Sequence, residues 1–420
     1  MRVRLHRVVF LGALLMICAF SSRASSGASA YSILGVGDLR YLPSVRSAGM
    51  GSTGLGLPFD GSINSLSPAT WSRFGLTRLE VGLVRDGFSS TDGTQSRNIS
   101  DVRFTGALLG IPISQARGIG VVAGIVPYSG VDYDTYSSGT HAVPPDSFSY
   151  DLHQVGSGRL SRALLGASFM PMEQLFIGAS INFLFGKNQK TTTQIPLDDT
   201  HAGGTIVDET NIQGLSLTFS ILQESLGGVA EALQPLSLGA TLSTKTRLRA
   251  ETESRYQYTL ETDTTSSGRR DIVVPLAWGV GAGWRAGERF VLAADFSAQA
   301  WSHATVEDQP WPNIRDSWRI GVGAERTASR SAEASWLDRV SYRLGFTFSP
   351  TYYSPGGKGI DEWFATAGAS LPLGGENRLH LAVEYGRRGT TNNNLIQDSI
   401  LRVSASVCIG EVWFMRPEED

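Results

Sequence analysis

The sequence predicts an all-β protein: a 14-stranded antiparallel transmembrane β-barrel with an N-terminal hatch, or plug, segment. Three observations predict this class. Apolar and polar residues alternate through many segments, an export leader opens the chain, and several strand candidates exceed the roughly 9–11 residues that a tilted strand needs to cross a bilayer. Alternation alone also fits a soluble β-sandwich, but soluble strands are usually about 5–6 residues long. Strand length therefore favours the barrel.

Residues 1–30 read as a secretory signal peptide that is cleaved before Tyr31. Arginines precede an apolar run at 8–20, and small residues follow it up to Ala28-Ser29-Ala30. The run is short for a membrane helix, which needs about 20 residues, so a retained anchor is the weaker alternative. Cleavage removes four of the 36 basic residues and none of the 39 acidic ones, which leaves a net charge of −7. Such a chain has no basic field for nucleic acid.

From Leu79 onwards the alternation predicts fourteen strands. Between Leu401 and Gly410 the odd positions are apolar and the even ones are polar or small. Successive side chains of a strand point to opposite faces, so each strand has one face for lipid and one for a wet lumen. The predicted strands are 79–86, 101–111, 118–127, 157–170, 175–188, 205–220, 236–249, 271–285, 289–301, 316–327, 340–350, 361–372, 378–387 and 399–413.

The predicted connections alternate in length. Short ones, such as 171–174, follow several even-numbered strands, and long polar ones, such as 129–156, follow most odd-numbered strands. This asymmetry is typical of outer-membrane barrels, with short turns in the periplasm and long loops outside. With the apolar faces outward, the inward side chains include Glu80, Asn182, Asp295, Gln299, Arg319, Glu325, Arg343, His380, Glu384 and Arg402.

The 48 residues from Tyr31 to Arg78 have a different composition. The stretch 47–58 is rich in glycine, but it lacks the preceding strand, the following helix and the lysine of a phosphate loop. Glycines that let the backbone pack closely inside a barrel explain it better. The predicted organisation is therefore a signal peptide (1–30), a hatch (31–78), an outer-membrane barrel (79–414) and a C-terminal tail (415–420).

Several short motifs resemble those of the outer-membrane long-chain fatty acid transporter family. In the hatch they are Tyr31–Leu39, Ala48–Gly54 and Asn64–Ala69. In the barrel they are Asp295–Ser302, Asp316–Gly323, Pro372-Leu373, Glu384–Gly386 and Trp413-Phe414. Each motif is weak alone, but together they run in the family's order through nearly all of the mature chain. Ser67 stands where the family has an asparagine, and residues after Phe414 displace the usual terminal aromatic residue inward.

The resemblance implies that hydrophobic molecules enter a pocket near the hatch and leave sideways, through a kinked strand, into the membrane. It places the residues that contact or gate this pocket at Tyr31, Ser32, Ile33 and Leu34, and it assigns hatch positions to Gly49, Gly51, Ser67, Pro68 and Ala69. Gly156 and Gly158 are candidates for the strand bend because glycines permit a bulge. A flexible loop end is the reading that we favour for these two glycines.

We therefore expect an outer-membrane transport channel for long-chain fatty acids or other hydrophobic compounds. The alternative is a non-transporting barrel that carries or scaffolds exported proteins, as type IX secretion shuttles do. The expected partners are outer-membrane lipid, a hydrophobic small molecule and the outer-membrane barrel assembly machinery. We expect no enzyme activity, cofactor or metal, because the five histidines of the mature chain are scattered without metal-ligand spacing.

Overall fold

The computed structural model describes residues 29–58, 61–143, 146–198, 200–258, 264–329, 331 and 333–411. Most of the predicted signal peptide, the Trp413-Phe414 motif and the predicted tail 415–420 lie outside the described residues. Within them, no helix is long and apolar enough to cross a membrane.

Fourteen long antiparallel strands form the wall of a closed barrel. We number them β1 to β14 in chain order. β7 and β8 are each interrupted by two residues, so each consists of two segments. The strands are β1 Thr77–Thr91, β2 Ser96–Ser114, β3 Ile119–Val143, β4 Asp146–Met172, β5 Leu175–Pro196, β6 Gly204–Gln223, β7 Leu236–Ser243 with Thr246–Tyr258, β8 Thr264–Val274 with Ala277–Ala286, β9 Phe290–Gln299, β10 Ser317–Arg326, β11 Ser341–Pro350, β12 Asp361–Gly374, β13 Asn377–Gly389 and β14 Gln397–Glu411.

The sheet closes on itself because β14 pairs with β1 in an unbroken antiparallel register, in which Val403 lies opposite Arg85. Closure leaves no free edge within the membrane, where an unpaired backbone group would be costly. The predicted fold class, an all-β 14-stranded antiparallel barrel with a segment before it, is confirmed.

The outward faces carry the apolar belt that the alternation predicts. Leu292, Leu344 and Val383 are among the exposed apolar side chains of this belt. Trp278, Phe296 and Trp318 are arranged in a row, with ring centroids 5.5 and 6.1 Å apart. Aromatic residues of this kind mark the boundary between hydrocarbon and headgroups, so the row marks the outer edge of the membrane-spanning belt.

The segments 89–100 and 129–156, which the sequence predicted as polar loops, belong mostly to strands. β1 and β2 continue to a four-residue turn at 92–95, and β3 and β4 form one long hairpin. Beyond the membrane both faces of a strand meet water, so the apolar alternation disappears while the backbone pairing continues. The alternation of apolar and polar residues therefore ends before the strands do.

The inward faces of the extended strands β4 to β8 cap the extracellular mouth. Leu160, Leu184, Leu248 and Ile272 belong to one buried apolar cluster with residues of the N-terminal segment and of two outer loops. The loop after β9 contributes Trp301, and the loop after β11 contributes Tyr352, Tyr353 and Ile360. We call this arrangement the extracellular cap.

The segment before β1 fills the barrel as a plug. It contains a two-residue strand and three short helices, and the remaining helices of the chain are single turns in loops. The plug strand is Asp38–Leu39, its α-helix is Val45–Ala48, and its 3-10 helices are Ala30–Ile33 and Pro68–Arg73; the loop helices are Glu231–Leu233, Trp301–His303, Leu337–Arg339, Pro355–Gly357 and Asn392–Asn394.

Candidate functional site

The base of the plug, residues 42–58 and 61–74, packs against the barrel wall at backbone distance. A Cβ atom on Gly49 would lie 2.7 Å from the Cα of Gly368, and one on Gly51 would lie 2.4 Å from the carbonyl oxygen of Val322. Gly51 also has a φ of 66°, which favours glycine. The two predicted hatch glycines therefore stand where only a residue without a side chain fits.

Buried polar groups of the barrel bind the backbone of the plug base. One carboxylate oxygen of Asp295 accepts hydrogen bonds from the amides of Gly54 at 2.7 Å and Leu55 at 2.9 Å. Glu80 accepts a bond from the amide of Ile63 at 2.7 Å. Buried backbone N–H groups need such partners, so these inward carboxylates hold the plug in place.

The predicted hatch residues Ser67, Pro68 and Ala69 lie at the start of a buried 3-10 helix. The amide of Ala69 donates to the hydroxyl of Ser220 on β6 at 2.6 Å. Asn64 lies three residues before Ser67. Its side chain accepts hydrogen bonds from the amides of Leu66 and Ser67 and donates one to the carbonyl of Gly54. Asn64 belongs to the predicted motif Asn64–Ala69, but its role in organising the turn was not predicted from the sequence.

The N-terminal segment, residues 29–41, runs along the inside of the extracellular cap. The Tyr31 hydroxyl donates to the carbonyl of Ile396 at 2.6 Å and accepts from the amide of the same residue at 3.0 Å. Ser32 accepts from the amide of Asp132 at 3.0 Å, and the carbonyl of Leu34 accepts from Tyr352 at 3.1 Å. Ile33 is more than a third exposed.

Burial raises the pKa of Tyr31 to about 12, although its bond to Ile396 acts in the opposite direction. The phenol therefore stays neutral at any pH near 7, and it keeps its proton for the bond to the Ile396 carbonyl.

The wall has one long separation, between β2 and β3. Their backbone pairing begins at the periplasmic end, where Ser114 lies opposite Ile119, and it ends at Ala107 opposite Ile125. Beyond Ile125, β3 pairs with β4 for the rest of its length, while the outer part of β2 pairs with β1. Ion pairs join the described residues of β2 to the neighbouring hairpin there, from Arg97 to Asp134 at 2.9 Å and from Arg159 to Asp101 at 2.7 Å. We call this opening the β2–β3 gap.

Irregular backbone on both sides accounts for the gap. In β2, Thr105 has no partner on β1, and the adjacent Gly106 has a φ of 139°. In β3, the pairing with β4 skips Tyr128, directly after Pro127. Bulges bend strands, and proline lacks the N–H that a ladder needs, so both strands turn away from each other at the same level. The proline within the apolar pattern was the signal available in the sequence.

The predicted bend residues Gly156 and Gly158 lie inside β4, next to this irregularity. Gly158 has a φ of 152°. A Cβ atom on Gly156 would lie 2.1 Å from the ring of Tyr133 on β3. The two glycines thus lie within the wall, on the strand beside β3, and they do not form a loop end.

The N-terminal segment covers part of the exposed edge of β3. Asp38 and Leu39 pair antiparallel with Gly130 and Ser129, and the amide of Arg40 donates to the carbonyl of Tyr128 at 2.9 Å. The plug strand thus takes the place beside β3 that β2 leaves open. Sequence reasoning missed this pairing, because two residues carry no periodic pattern.

Two cavities adjoin the N-terminal segment. The first, of about 240 Å³, lies below the extracellular cap and is lined by Leu39, Tyr128, Leu184 and Tyr352, among others. We call it the upper cavity. The second, also of about 240 Å³, is lined both by lumen residues such as Arg402 and by the outward residues Phe104 and Ile125 of the gap. We call it the gap cavity. Arg40, Tyr41, Arg319, Glu362 and Arg388 line both cavities.

Most charged side chains around the gap cavity are paired. Asp86 lies 2.9 Å from Arg40, 3.2 Å from Arg402 and 3.5 Å from Arg103. Arg388 lies 2.9 Å from Asp38 and 2.8 Å from Glu362. This network ties the plug strand to β1, β2, β12, β13 and β14.

Two arginines of the upper cavity lack such partners. Arg162 donates to the carbonyl of Ser65 at 3.2 Å, and its Nε has no hydrogen-bond partner. Arg319 donates to Tyr41 and Thr347, and its guanidinium lies 4.4 Å from the centroid of the Tyr41 ring. Among the described side chains, no carboxylate lies within ion-pair distance of either guanidinium. The upper cavity therefore combines apolar walls with two guanidinium groups that make no ion pair with a described side chain.

The described residues contain no group of three or more His, Cys, Asp or Glu side chains that could hold a metal ion. The geometry of a closed barrel with an internal plug, a lateral gap and an apolar outer belt defines this protein as an outer-membrane β-barrel. A family model described as BamG matches residues 5–418, and the chain belongs to the BamG family.

Solved structures share the fold at low sequence identity. The toluene transporter TbuX of Ralstonia pickettii is 16% identical, with a TM-score of 0.61 over 88% of this chain and 98% of that one. A FadL homologue of Pseudomonas aeruginosa is 12% identical, with a TM-score of 0.59 over 88% and 98% of the two chains. The toluene transporter TodX of Pseudomonas putida is 15% identical, with a TM-score of 0.58 over 90% and 99%.

A search of curated proteins gave no match. The solved structures show the resemblance to the fatty acid transporter family at the level of the fold. The family model that matches the chain is BamG.

Proposed function

We propose that this protein is an outer-membrane channel through which hydrophobic or amphipathic compounds pass sideways into the membrane. The observation that carries the proposal is the gap cavity, in which the outward residues Phe104 and Ile125 and the lumen residue Arg402 line the same space. An apolar compound gains free energy by entering lipid and gains none by crossing to water. A lateral exit at the level of the membrane suits such a compound.

The upper cavity favours an amphipathic anion, such as a long-chain fatty acid. Its apolar walls, which include Leu184 and Tyr352, suit a hydrocarbon chain. Arg162 and Arg319 would bind the carboxylate, because a guanidinium donates two parallel hydrogen bonds to such a group. The TbuX and TodX structures are those of toluene transporters, so an uncharged aromatic compound is the comparison substrate.

The N-terminal segment would act as the gate. Tyr31, Ser32 and Leu34 hold the start of this segment in the extracellular cap, and the following strand Asp38–Leu39 covers the edge of β3. Displacing the segment would join the upper cavity to the gap cavity and would leave the edge of β3 uncovered.

Uptake by proteoliposomes tests the channel. Wild-type protein is expected to give saturable uptake of a labelled long-chain fatty acid. The variant Thr105→Trp places a large ring in the gap cavity, which Thr105 lines, and should abolish most of the uptake. Leu292→Trp, at an exposed outward position of β9 away from the gap, is the matched control and should transport normally. Equal uptake by both tryptophan variants would exclude the β2–β3 gap as the exit.

A further variant tests carboxylate binding by Arg162 separately from the exit through the β2–β3 gap. Arg162→Gln should reduce the uptake of the fatty acid about tenfold or more, because it removes a charge-assisted contact, and it should leave the uptake of toluene nearly unchanged. Parallel loss of both activities would instead indicate a structural role for Arg162.

The family name favours a second function, as a component that works with the outer-membrane barrel assembly machinery or with exported proteins. The family is BamG, and the long hairpins from β3 to β8 provide a surface outside the membrane. Chemical cross-linking in intact cells tests it: defined cross-links to the central barrel of that machinery, together with a failed uptake assay, would favour this function over the channel.

A further inference from the structure

A row of three basic side chains lies on the outside of the barrel, at the break in β7 and at the start of its second segment, directly beyond the apolar belt. Lys245, Arg247 and Arg249 are exposed, and the alternating residues Thr246, Leu248 and Ala250 are buried. Alternation in a strand puts every second residue on the same face, so Arg247 and Arg249 point away from the barrel about 6.6 Å apart. Lys245 lies in the break of β7 directly before them.

The position of this row relative to the membrane follows from the residues before it. Leu238 and Leu242 are the exposed apolar residues of the first β7 segment, and Leu242 lies opposite Trp278 of the outer aromatic row. Lys245 follows Leu242 by three residues and lies in the break between the two segments of β7. The row therefore begins where the hydrocarbon ends and the headgroups of the outer leaflet lie.

The cations of the row are mostly uncompensated. Arg247 lies 3.4 Å from Asp271 on β8, in a pair exposed to solvent, and such pairs contribute little. Within the described part of the chain, no ion pair or hydrogen bond engages the side chains of Lys245 and Arg249. Three positive charges thus face one carboxylate.

The sign of the outward charge reverses farther along the same strand. The next two outward residues of β7 are Glu251 and Glu253, both exposed. Basic residues therefore lie on the membrane side and acidic residues on the side away from it. Binding to a soluble anionic protein would not require the basic residues to lie nearest the membrane. Contact with a negatively charged membrane surface does require it.

We propose that Lys245, Arg247 and Arg249 form a binding surface for phosphate-bearing lipid headgroups of the outer leaflet. Guanidinium groups bind phosphate oxygens through paired hydrogen bonds, and a lysine adds a mobile charge. The bound lipids would fix the depth of the barrel in the membrane beside the break in β7 and β8. The surface lies outside the lumen, so this proposal stands independently of the transport function.

Native mass spectrometry of the full mature protein tests the proposal. The protein in detergent micelles is titrated with phosphatidylglycerol and, separately, with the zwitterionic phosphatidylcholine. Wild-type protein should retain phosphatidylglycerol preferentially, and higher ionic strength should weaken this retention. The variant Lys245→Gln/Arg247→Gln/Arg249→Gln should bind phosphatidylglycerol about a hundredfold more weakly, at about fivefold for each cation near the surface.

A second triple variant controls for net charge. Arg117→Gln/Arg255→Gln/Lys358→Gln removes three exposed positive charges outside the row, of which Arg255 lies farther from the membrane on the same face of β7. This variant should bind phosphatidylglycerol like the wild type. All six substitutions are at exposed positions, and the retained mobility of unheated samples in a gel will show that both variants fold. Equal binding of the two lipids by the wild type, or equal losses in the two variants, would overturn the proposal. Displacement of the lipid by millimolar inorganic phosphate would also overturn it, because the surface would then be a site for free anions.

Discussion

The two parts of the plug are held in different ways. The plug base, residues 42–58 and 61–74, meets the barrel backbone so closely that a Cβ atom on Gly239 would lie 1.9 Å from the carbonyl oxygen of Leu55. Its amides donate to buried carboxylates such as Asp295. The N-terminal segment, residues 29–41, is held instead by a few hydroxyl groups, ion pairs and a two-residue strand, and it lines both cavities.

This difference separates an anchor from a gate. Backbone-to-backbone packing without side chains allows no gradual movement, because any shift creates either a clash or a buried unpaired amide. Contacts made by single hydroxyl groups can break one at a time at about 1 kcal/mol each. We therefore expect conformational change in the N-terminal segment while the plug base stays in place.

The largest effect is expected from a side chain placed between the plug base and the wall. Gly239→Val should prevent folding, because its Cβ would overlap the backbone of Leu55. The measurement is the mobility of unheated and heated samples in a gel, and the folded band should be absent. Gly268→Val is the matched control, since a Cβ there meets no atom within 4 Å. A folded Gly239→Val protein with a retained plug would disprove the rigid anchor.

A smaller but still large effect is expected from the carboxylate that holds the plug base. Asp295→Ala leaves the amides of Gly54 and Leu55 without an acceptor, and it should lower the free energy of unfolding by about 3 kcal/mol. Asp295→Asn keeps one side-chain oxygen as an acceptor and should lower the free energy of unfolding by only about 1 kcal/mol. Urea unfolding in micelles measures both. If the two variants are equally stable, the hydrogen bonds to this side chain do not hold the plug.

The gate should respond to the loss of one hydroxyl. Tyr31→Phe removes both bonds to Ile396 and should destabilise the N-terminal segment by about 1 kcal/mol. Amide hydrogen exchange should become about fivefold faster in residues 31–39, and it should stay unchanged in residues 45–58. Faster exchange in both ranges would show that the segment and the base move as one unit.

The same tyrosine gives a pH test. Its pKa is raised from 10.0 to about 12, so the folded state favours the neutral phenol. The contact is therefore fully present below pH 10 and is lost as the pH rises through about 12. Exchange in residues 31–39 of the wild type should show an additional acceleration in this range after correction for the intrinsic rate. Tyr31→Phe, which has no phenol, should lack it.

The smallest effect is expected at the periplasmic turn between β10 and β11. Hydrogen bonds from Ser335, Arg326 and Arg289 hold the pKa of Asp338 below its usual range. The carboxylate therefore stabilises the turn above the unfolded pKa of about 4, and this contribution is lost as the pH falls below it. Asp338→Asn should change the stability of the barrel only slightly, because the group is exposed. The measurement is the unfolding midpoint of the variant and of the wild type at pH 7 and at pH 3. A difference between the two proteins that appears only at pH 3 would contradict the expected pH dependence.

Much of the wall could be predicted from the sequence, because the alternation of faces is a local property. The fourteen strands, their apolar outward faces and the inward positions of Glu80, Asp295 and Glu384 follow from the period of two. The extracellular hairpins could not be predicted to their full length, since β3 and β4 continue where both faces are polar. The separation of β2 from β3 depends on bulges at Thr105 and Tyr128, and only Pro127 signals it in the sequence.

The sequence by itself determined that this protein is an all-β barrel with a glycine-rich segment suited to its interior. It did so because strand periodicity and chain composition depend on near neighbours. Only the tertiary structure decided that Asp38–Leu39 pairs with β3, that Asn64 organises the plug turn and that Arg162 lines the upper cavity. These features join residues that are far apart in the chain, and no local pattern specifies which of many possible partners a backbone or charged group meets.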